Sequence, residues 1–184
     1  MTVCVFGWDV YNGLRELPLR GGAELVAFQI AEATVQLQSK RLTIGYKRTC
    51  SCPPNHLNCM TPKEWIKSQL GVWQFNYESR DIRDKQIHPA TFPLSLSKRV
   101  IQLFTHEGEL VLDPFVGSGT TLVAARDLNR NAVGFDLQQA YISLCRERLA
   151  NGALFNQSQQ IAIQDDALNI RDYLEQETIS LIWT

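Results

Sequence analysis

The chain has 184 residues, 45% of them hydrophobic, with 18 basic and 19 acidic side chains and a formal net charge of −1. This is enough for one domain with a buried core, and the near balance of charge excludes a basic field over the whole surface. No run of eighteen apolar residues marks a membrane span, the N-terminus lacks the pattern of a signal peptide, and the cytoplasm is the expected compartment.

Residues 1–60 are weakly patterned, with a turn at Gly21-Gly22 and mixed helix and strand signals over Ala23–Leu37. They are separated here from a second region, 61–184. Lys40, Arg41, Lys47 and Arg48 flank Leu42–Tyr46, which reads as a solvated edge strand or as a site for phosphate contacts. Five cysteines in such a compartment are expected to be reduced. Cys50, Cys52, His56 and Cys59 are soft ligands close in sequence, but Cys-x-Cys followed by a single Cys is not the spacing of a common zinc module. No metal site is assigned.

Thr61-Pro62-Lys63-Glu64 combines a capping residue, a proline at the first helical position and a glutamate at the third. It predicts a helix from Pro62 to about Leu70, with Trp65 and Trp73 as packing residues. A charged loop follows at Asp81–Lys85. His88-Pro89-Ala90-Thr91-Phe92-Pro93 is held extended by its prolines. A helix over Leu94–Thr105 places Leu96, Val100, Leu103 and Phe104 on one face.

The richest stretch is Val111-Leu112-Asp113-Pro114-Phe115-Val116-Gly117-Ser118-Gly119-Thr120-Thr121. A strand over Leu110–Asp113 ends on a carboxylate, a turn with two glycines follows, and a helix opens at Thr120 or Thr121. Such a turn lets a ligand approach bare backbone. A phosphate loop has Lys after its second Gly, where this chain has Thr120. A dinucleotide fingerprint has a third Gly, where this chain has Leu122. The acid suits a ligand with a positive group, and S-adenosylmethionine carries an ammonium and a sulfonium.

Further strands are expected at Ala132–Asp136, Gln160–Gln164 and Ile179–Trp183. Helices are expected at Thr120–Asn129 (Leu122, Ala125 and Leu128 inward), Gln138–Leu149 (Tyr141, Leu144, Cys145 and Leu149 inward) and briefly at Ile170–Glu175. Alternating elements with short loops predict an α/β, doubly wound, mainly parallel Rossmann-like sheet. Its strand C-termini then share one edge carrying Asp113, Asp136 and Asp165-Asp166, where ligands bind in such sheets. An acid about twenty residues beyond the glycine turn suits ribose hydroxyls, and one after the third strand suits an adenine amino group.

Residues 113–121 resemble the cofactor motif of the exocyclic-amino DNA methyltransferases, the adenine-N6 and cytosine-N4 enzymes of restriction–modification systems. His88–Pro93 is similar to the segment that precedes that motif, and Arg130–Asp136 with Tyr141 to the following strand and helix. The resemblance covers roughly 61–184. It implies S-adenosylmethionine as cofactor, double-stranded DNA as partner, and transfer to an exocyclic amino group of a flipped base. It carries over His88, Phe92, Asp113, Phe115, Gly117, Ser118, Gly119, Asp136 and Asp166 as cofactor-binding positions.

The family's catalytic Asp/Asn/Ser-Pro-Pro-Tyr/Phe motif, expected at the end of the fourth strand, is not among these 184 residues. Pro53-Pro54 follows Cys52 and lacks the aromatic residue. No catalytic residue is therefore assigned. The expectation is a methyltransferase sheet incomplete at its C-terminus, from a fragment or a split enzyme whose second chain carries the motif. A non-catalytic cofactor-binding remnant and an RNA base methyltransferase are the alternatives.

Overall fold

The computed structural model describes residues 40–69, 71–77, 92–150 and 157–184. The expected turn at 21–22, the segment 23–37, the loop at 81–85 and His88 lie outside them. The described residues belong to one compact unit, Lys40–Thr184.

In chain order the unit contains α1 (Pro62–Gln69), α2 (Leu94–Phe104), β1 (Leu110–Asp113), α3 (Thr120–Asp127), β2 (Asn131–Asp136), α4 (Gln139–Ala150), β3 (Gln160–Gln164), a 3₁₀ turn (Ala167–Asn169), α5 (Ile170–Tyr173) and β4 (Ile179–Ile182). The four strands form one parallel sheet in the order β3-β2-β1-β4. The chain therefore winds outward from β1 through β2 to β3. It then returns to the other side of β1, and the order switches between β1 and β4.

Alternation along each strand divides the core into two layers. Val111, Ala132 and Ala162 face a layer built with Leu94, Ile101, Leu122, Val123, Ala125, Ile142 and Cys145 from α2, α3 and α4. Leu110, Leu112, Val133, Phe135, Ile161 and Ile163 face the opposite layer, closed by Tyr173, Leu174, Leu42 and Ile44. Small residues on the helical side of β2 have a direct packing reason. A Cβ on Gly134 would lie 2.5 Å from Val116 Cγ2, so glycine there admits the turn that follows β1.

Three expectations need correction. Leu42–Tyr46 is not an edge strand. It is an extended segment laid over the second layer, with Leu42 N–H donating to the Tyr173 carbonyl at 2.9 Å. The inward face of α2 is Leu94, Ser97, Val100, Ile101 and Leu103, while Phe104 is 57% exposed, because the helix packs on both α3 and β4. α3 has no solvent face over its first seven residues, Thr120–Arg126, since it is covered by helices as well as by the sheet. The stop of α2 and the start of β2 are joined by Arg130, whose buried guanidinium donates to Thr105 O at 2.8 Å, Thr105 Oγ1 at 3.3 Å and Leu128 O at 2.5 Å. A cation there answers the carbonyls left without intrahelical partners at two helix C-termini.

Candidate functional site

The C-terminal ends of the strands form the site. Asp113 closes β1 opposite Gly134, and Asp136 closes β2 opposite Gln164. Asp165 and Asp166 follow β3 directly. The sheet thus brings the three predicted acidic positions to one edge, with Asp113 beside the point where strand order switches. Such a switch leaves a crevice, because the connections on its two sides leave in opposite directions.

Asp113 is 2% exposed. Burial raises its pKa above the ordinary carboxylate range, opposed by Thr121, the Phe115 N–H and Thr184, and supported by the Asp136 charge. Its Oδ1 accepts from Phe115 N at 3.1 Å. Among the described residues no Lys, Arg or His forms an ion pair with it. A buried carboxylate without a cation is costly to hold charged.

The glycine turn sets the backbone. Gly117 has φ 48° and Gly119 φ 86°, both in the left-handed region. A Cβ on Gly119 would lie 2.3 Å from Cys145 Sγ, so α3 starts in contact with α4. Asp136 locks the turn from the next strand: its Oδ2 accepts from Gly117 N at 3.1 Å and its Oδ1 from Gln138 N at 2.8 Å. Each oxygen retains a lone pair for a further donor. Ser118 is buried, and Arg148 of α4 donates to its carbonyl at 2.6 Å and its hydroxyl at 2.9 Å. Phe115 is 70% exposed at the same edge.

Two acids after β3 behave differently. Asp165 accepts from Tyr173 Oη at 2.5 Å, Asn169 Nδ2 at 2.7 Å and Lys40 Nζ at 3.2 Å. The Tyr173 and Asn169 hydrogen bonds lead in holding its pKa well below the usual carboxylate range. Asp166 caps the 3₁₀ turn, its Oδ1 accepting from Leu168 N at 2.9 Å. Phe92 stacks edge-on against Trp183, centroids 5.9 Å apart, and Trp183 N donates to Leu112 O at 3.0 Å. Phe92 therefore lies beside the β1–β4 switch. His88 lies outside the described residues.

Sequence reasoning missed Thr121, Thr184 and Arg148. Thr121 stands within the glycine motif itself, but the influence of Thr184 on the Asp113 carboxyl, and the hydrogen bonds from Arg148 to Ser118, cross long sequence separations. Among the basic residues at 40–48, Lys40 pairs with Asp165 and Arg41 with Glu175 at 3.8 Å, while Arg48 Nη2 donates to the Cys52 carbonyl at 3.1 Å. The cysteine cluster also differs in membership. Cys50, Cys52 and Cys59 converge with His106, not with the neighbouring His56.

The fold and this edge define a parallel α/β sheet with acidic positions at the strand ends beside its switch point. A family model described as DNA methylase, for the N6 and N4 enzymes, matches residues 28–147, and the chain belongs to that family. Residues of this chain are 40% identical over 78 positions to type II methyltransferase M.HpaI of Haemophilus parainfluenzae, covering 42% of this chain and 25% of that protein. They are 47% identical over 83 positions to type II methyltransferase M2.DpnII of Streptococcus pneumoniae, covering 45% and 31%. The chain thus spans about a quarter to a third of the length of these relatives. The solved structure of a Thermus thermophilus protein described as a putative DNA modification methylase, complexed with S-adenosyl-L-methionine, is 28% identical, with 64% of this chain and 44% of that chain covered at a TM-score of 0.45. Among the described residues no helix is long and apolar enough to cross a membrane.

Proposed function

We propose that this chain is the S-adenosylmethionine-binding part of a site-specific DNA methyltransferase, acting on N4 of cytosine or N6 of adenine. The observation that carries the reading is Asp113: a buried carboxylate at the sheet's switch point, lacking a cationic partner among the described residues. A cationic ligand group beside it restores the ionised form and offsets its burial. The ammonium of S-adenosylmethionine is that group. Asp136, already fixed by two backbone N–H donors, accepts the ribose hydroxyls. Asp166 accepts the adenine amino group, and Asp165 is committed to Lys40, Tyr173 and Asn169. Gly117, Ser118 and Gly119 give the methionine end a backbone surface, flanked by Phe115 and Phe92.

The cofactor supplies an electrophilic methyl group. This part of the protein binds and orients it, and the gain comes from positioning. The flipped base and the Asp/Asn/Ser-Pro-Pro-Tyr/Phe residues that hold its amino nitrogen belong next to the end of β4, beside Asp113 and Thr184. Those residues are not in this sequence, and the role proposed for these 184 residues is to bind and orient the cofactor. The setting is a restriction–modification system in the cytoplasm.

Calorimetric titration with S-adenosylmethionine, ATP and NAD tests the ligand class. Saturable binding of S-adenosylmethionine alone is expected; tighter binding of ATP or NAD contradicts the assignment. With labelled cofactor and DNA, no transfer by this chain is expected, and measurable transfer would place the catalytic group within these residues.

A further inference from the structure

We propose that Cys50, Cys52, Cys59 and His106 form a closed, structural zinc site at the end of the sheet opposite the cofactor edge. Their Sγ and imidazole nitrogen atoms all lie within 4.8 Å of one another. The Cys50 Sγ to His106 Nδ1 distance is 3.5 Å, and Cys59 Sγ to His106 Nδ1 is 3.6 Å. In a tetrahedral zinc site with Zn–S of about 2.3 Å and Zn–N of about 2.0–2.1 Å, the sulfur-to-nitrogen edge is about 3.5–3.6 Å. Two edges of the tetrahedron are therefore already set, and modest contraction brings in the remainder.

The surrounding backbone holds the ligands without help from a metal. Thr49 N donates to Glu107 O at 2.8 Å, which ties the chain before Cys50 to the residue after His106. His106 N donates to Glu109 Oε2 at 2.7 Å. Gly108, at φ 84°, lies so close to Thr49 that a Cβ would meet its hydroxyl at 2.6 Å. Leu57 and Met60 pair in a two-residue hairpin, with N–H to carbonyl distances of 2.9 Å in both directions. Its central residues, Asn58 and Cys59, have φ 51° and 67°. Asparagine is at home in that region, but cysteine is not, and glycine is the usual choice at the second position. A cysteine held in this conformation points to a use for its sulfur.

Charge balance also fits. Three thiolates and a neutral imidazole around a divalent zinc leave one net negative charge. Arg48 Nε lies 3.1 Å from Cys50 Sγ, and the Glu107 N–H lies 3.4 Å from Cys59 Sγ. Such outer donors are typical supports of ligand sulfur. Four protein ligands leave no open coordination position, so the ion clamps the 49–60 segment onto the α2–β1 turn and takes no part in methyl transfer.

The test is a cobalt(II) titration of the full 184-residue chain, reduced and freed of metal. Saturation at one equivalent is expected, with thiolate-to-cobalt charge transfer, tetrahedral ligand-field absorption, and displacement by zinc. Cys59→Ser and His106→Asn should lose the signal, and His56→Asn should keep it. No saturable binding, an octahedral spectrum without thiolate bands, a cysteine pair that stays oxidised under reductant, or loss of the signal in His56→Asn but not in His106→Asn would each overturn the proposal. The wild-type titration decides the matter even if a variant fails to fold.

Discussion

Asp113 sets function against stability within one side chain. Its raised pKa means that, between the ordinary carboxylate range and that raised value, the folded chain binds more protons than the unfolded chain. Stability of the ligand-free chain then falls as pH rises through that window. Asp113→Asn keeps an oxygen for Phe115 N and removes the buried charge. It should flatten that slope and raise stability at pH 7 by about 1 kcal/mol, measured by denaturant titration at several pH values. A less stable Asn variant would show that the charge is already compensated. Asp136→Ala should release the Gly117 and Gln138 N–H groups and weaken S-adenosylmethionine binding by about ten- to a hundredfold, the cost of 1.4–2.8 kcal/mol, read by calorimetry. Both acids were legible in sequence because each closes an apolar strand. The strand-end pattern did not separate Asp165 from Asp166, and only the family resemblance singled out Asp166. Asp165 is committed by Asn169 and Tyr173 of the turn and helix that follow it, and by Lys40, which arrives only when the segment before α1 folds over the sheet.

Helix ends explain much of how the elements are tied together. The capping box before α1 is formed as its sequence predicts: Thr61 N donates to Glu64 Oε2 at 2.9 Å, and Glu64 N donates to Thr61 Oγ1 at 3.3 Å. Its signal is local, so four consecutive residues suffice to read it. The C-terminal ends are less legible. Arg130 serves the ends of α2 and α3, and Arg126 Nη1 reaches the Arg148 and Leu149 carbonyls of α4 at 3.2 Å and 2.9 Å. Neither follows from helical periodicity. Arg130→Ala should destabilise the chain by about 2–4 kcal/mol, since it leaves buried carbonyls unpaired. A change under about 0.5 kcal/mol in denaturant titration would contradict that account. Gly119→Ala meets both a left-handed φ and Cys145, and should cost about 2–4 kcal/mol, seen as a lowered thermal midpoint.

For the whole molecule, parallel topology follows from apolar runs separated by short helices, and the sheet has it as expected, with β2 starting one residue early at Asn131 and β4 ending one residue early at Ile182. The covering of the second face does not. Leu42 and Ile44 read as an edge strand because their alternation is genuine, yet the partner of that alternation is the face of β1–β3 and not a neighbouring strand. The metal-ligating partner of the cysteines was hidden for a similar reason. His106 is distant from Cys59 in sequence and arrives beside it only through the α2–β1 turn. Local spacing favoured His56 instead.

The central claim is that Asp113 pairs with the ammonium of the cofactor at the switch point. Calorimetry with the wild-type chain and Asp113→Asn tests it most directly, comparing S-adenosylmethionine with 5′-methylthioadenosine, which shares the nucleoside but has no ammonium. The account predicts that the substitution removes most of the affinity for S-adenosylmethionine and leaves the weaker binding of 5′-methylthioadenosine nearly unchanged. Equal S-adenosylmethionine affinity in the two folded proteins would contradict it.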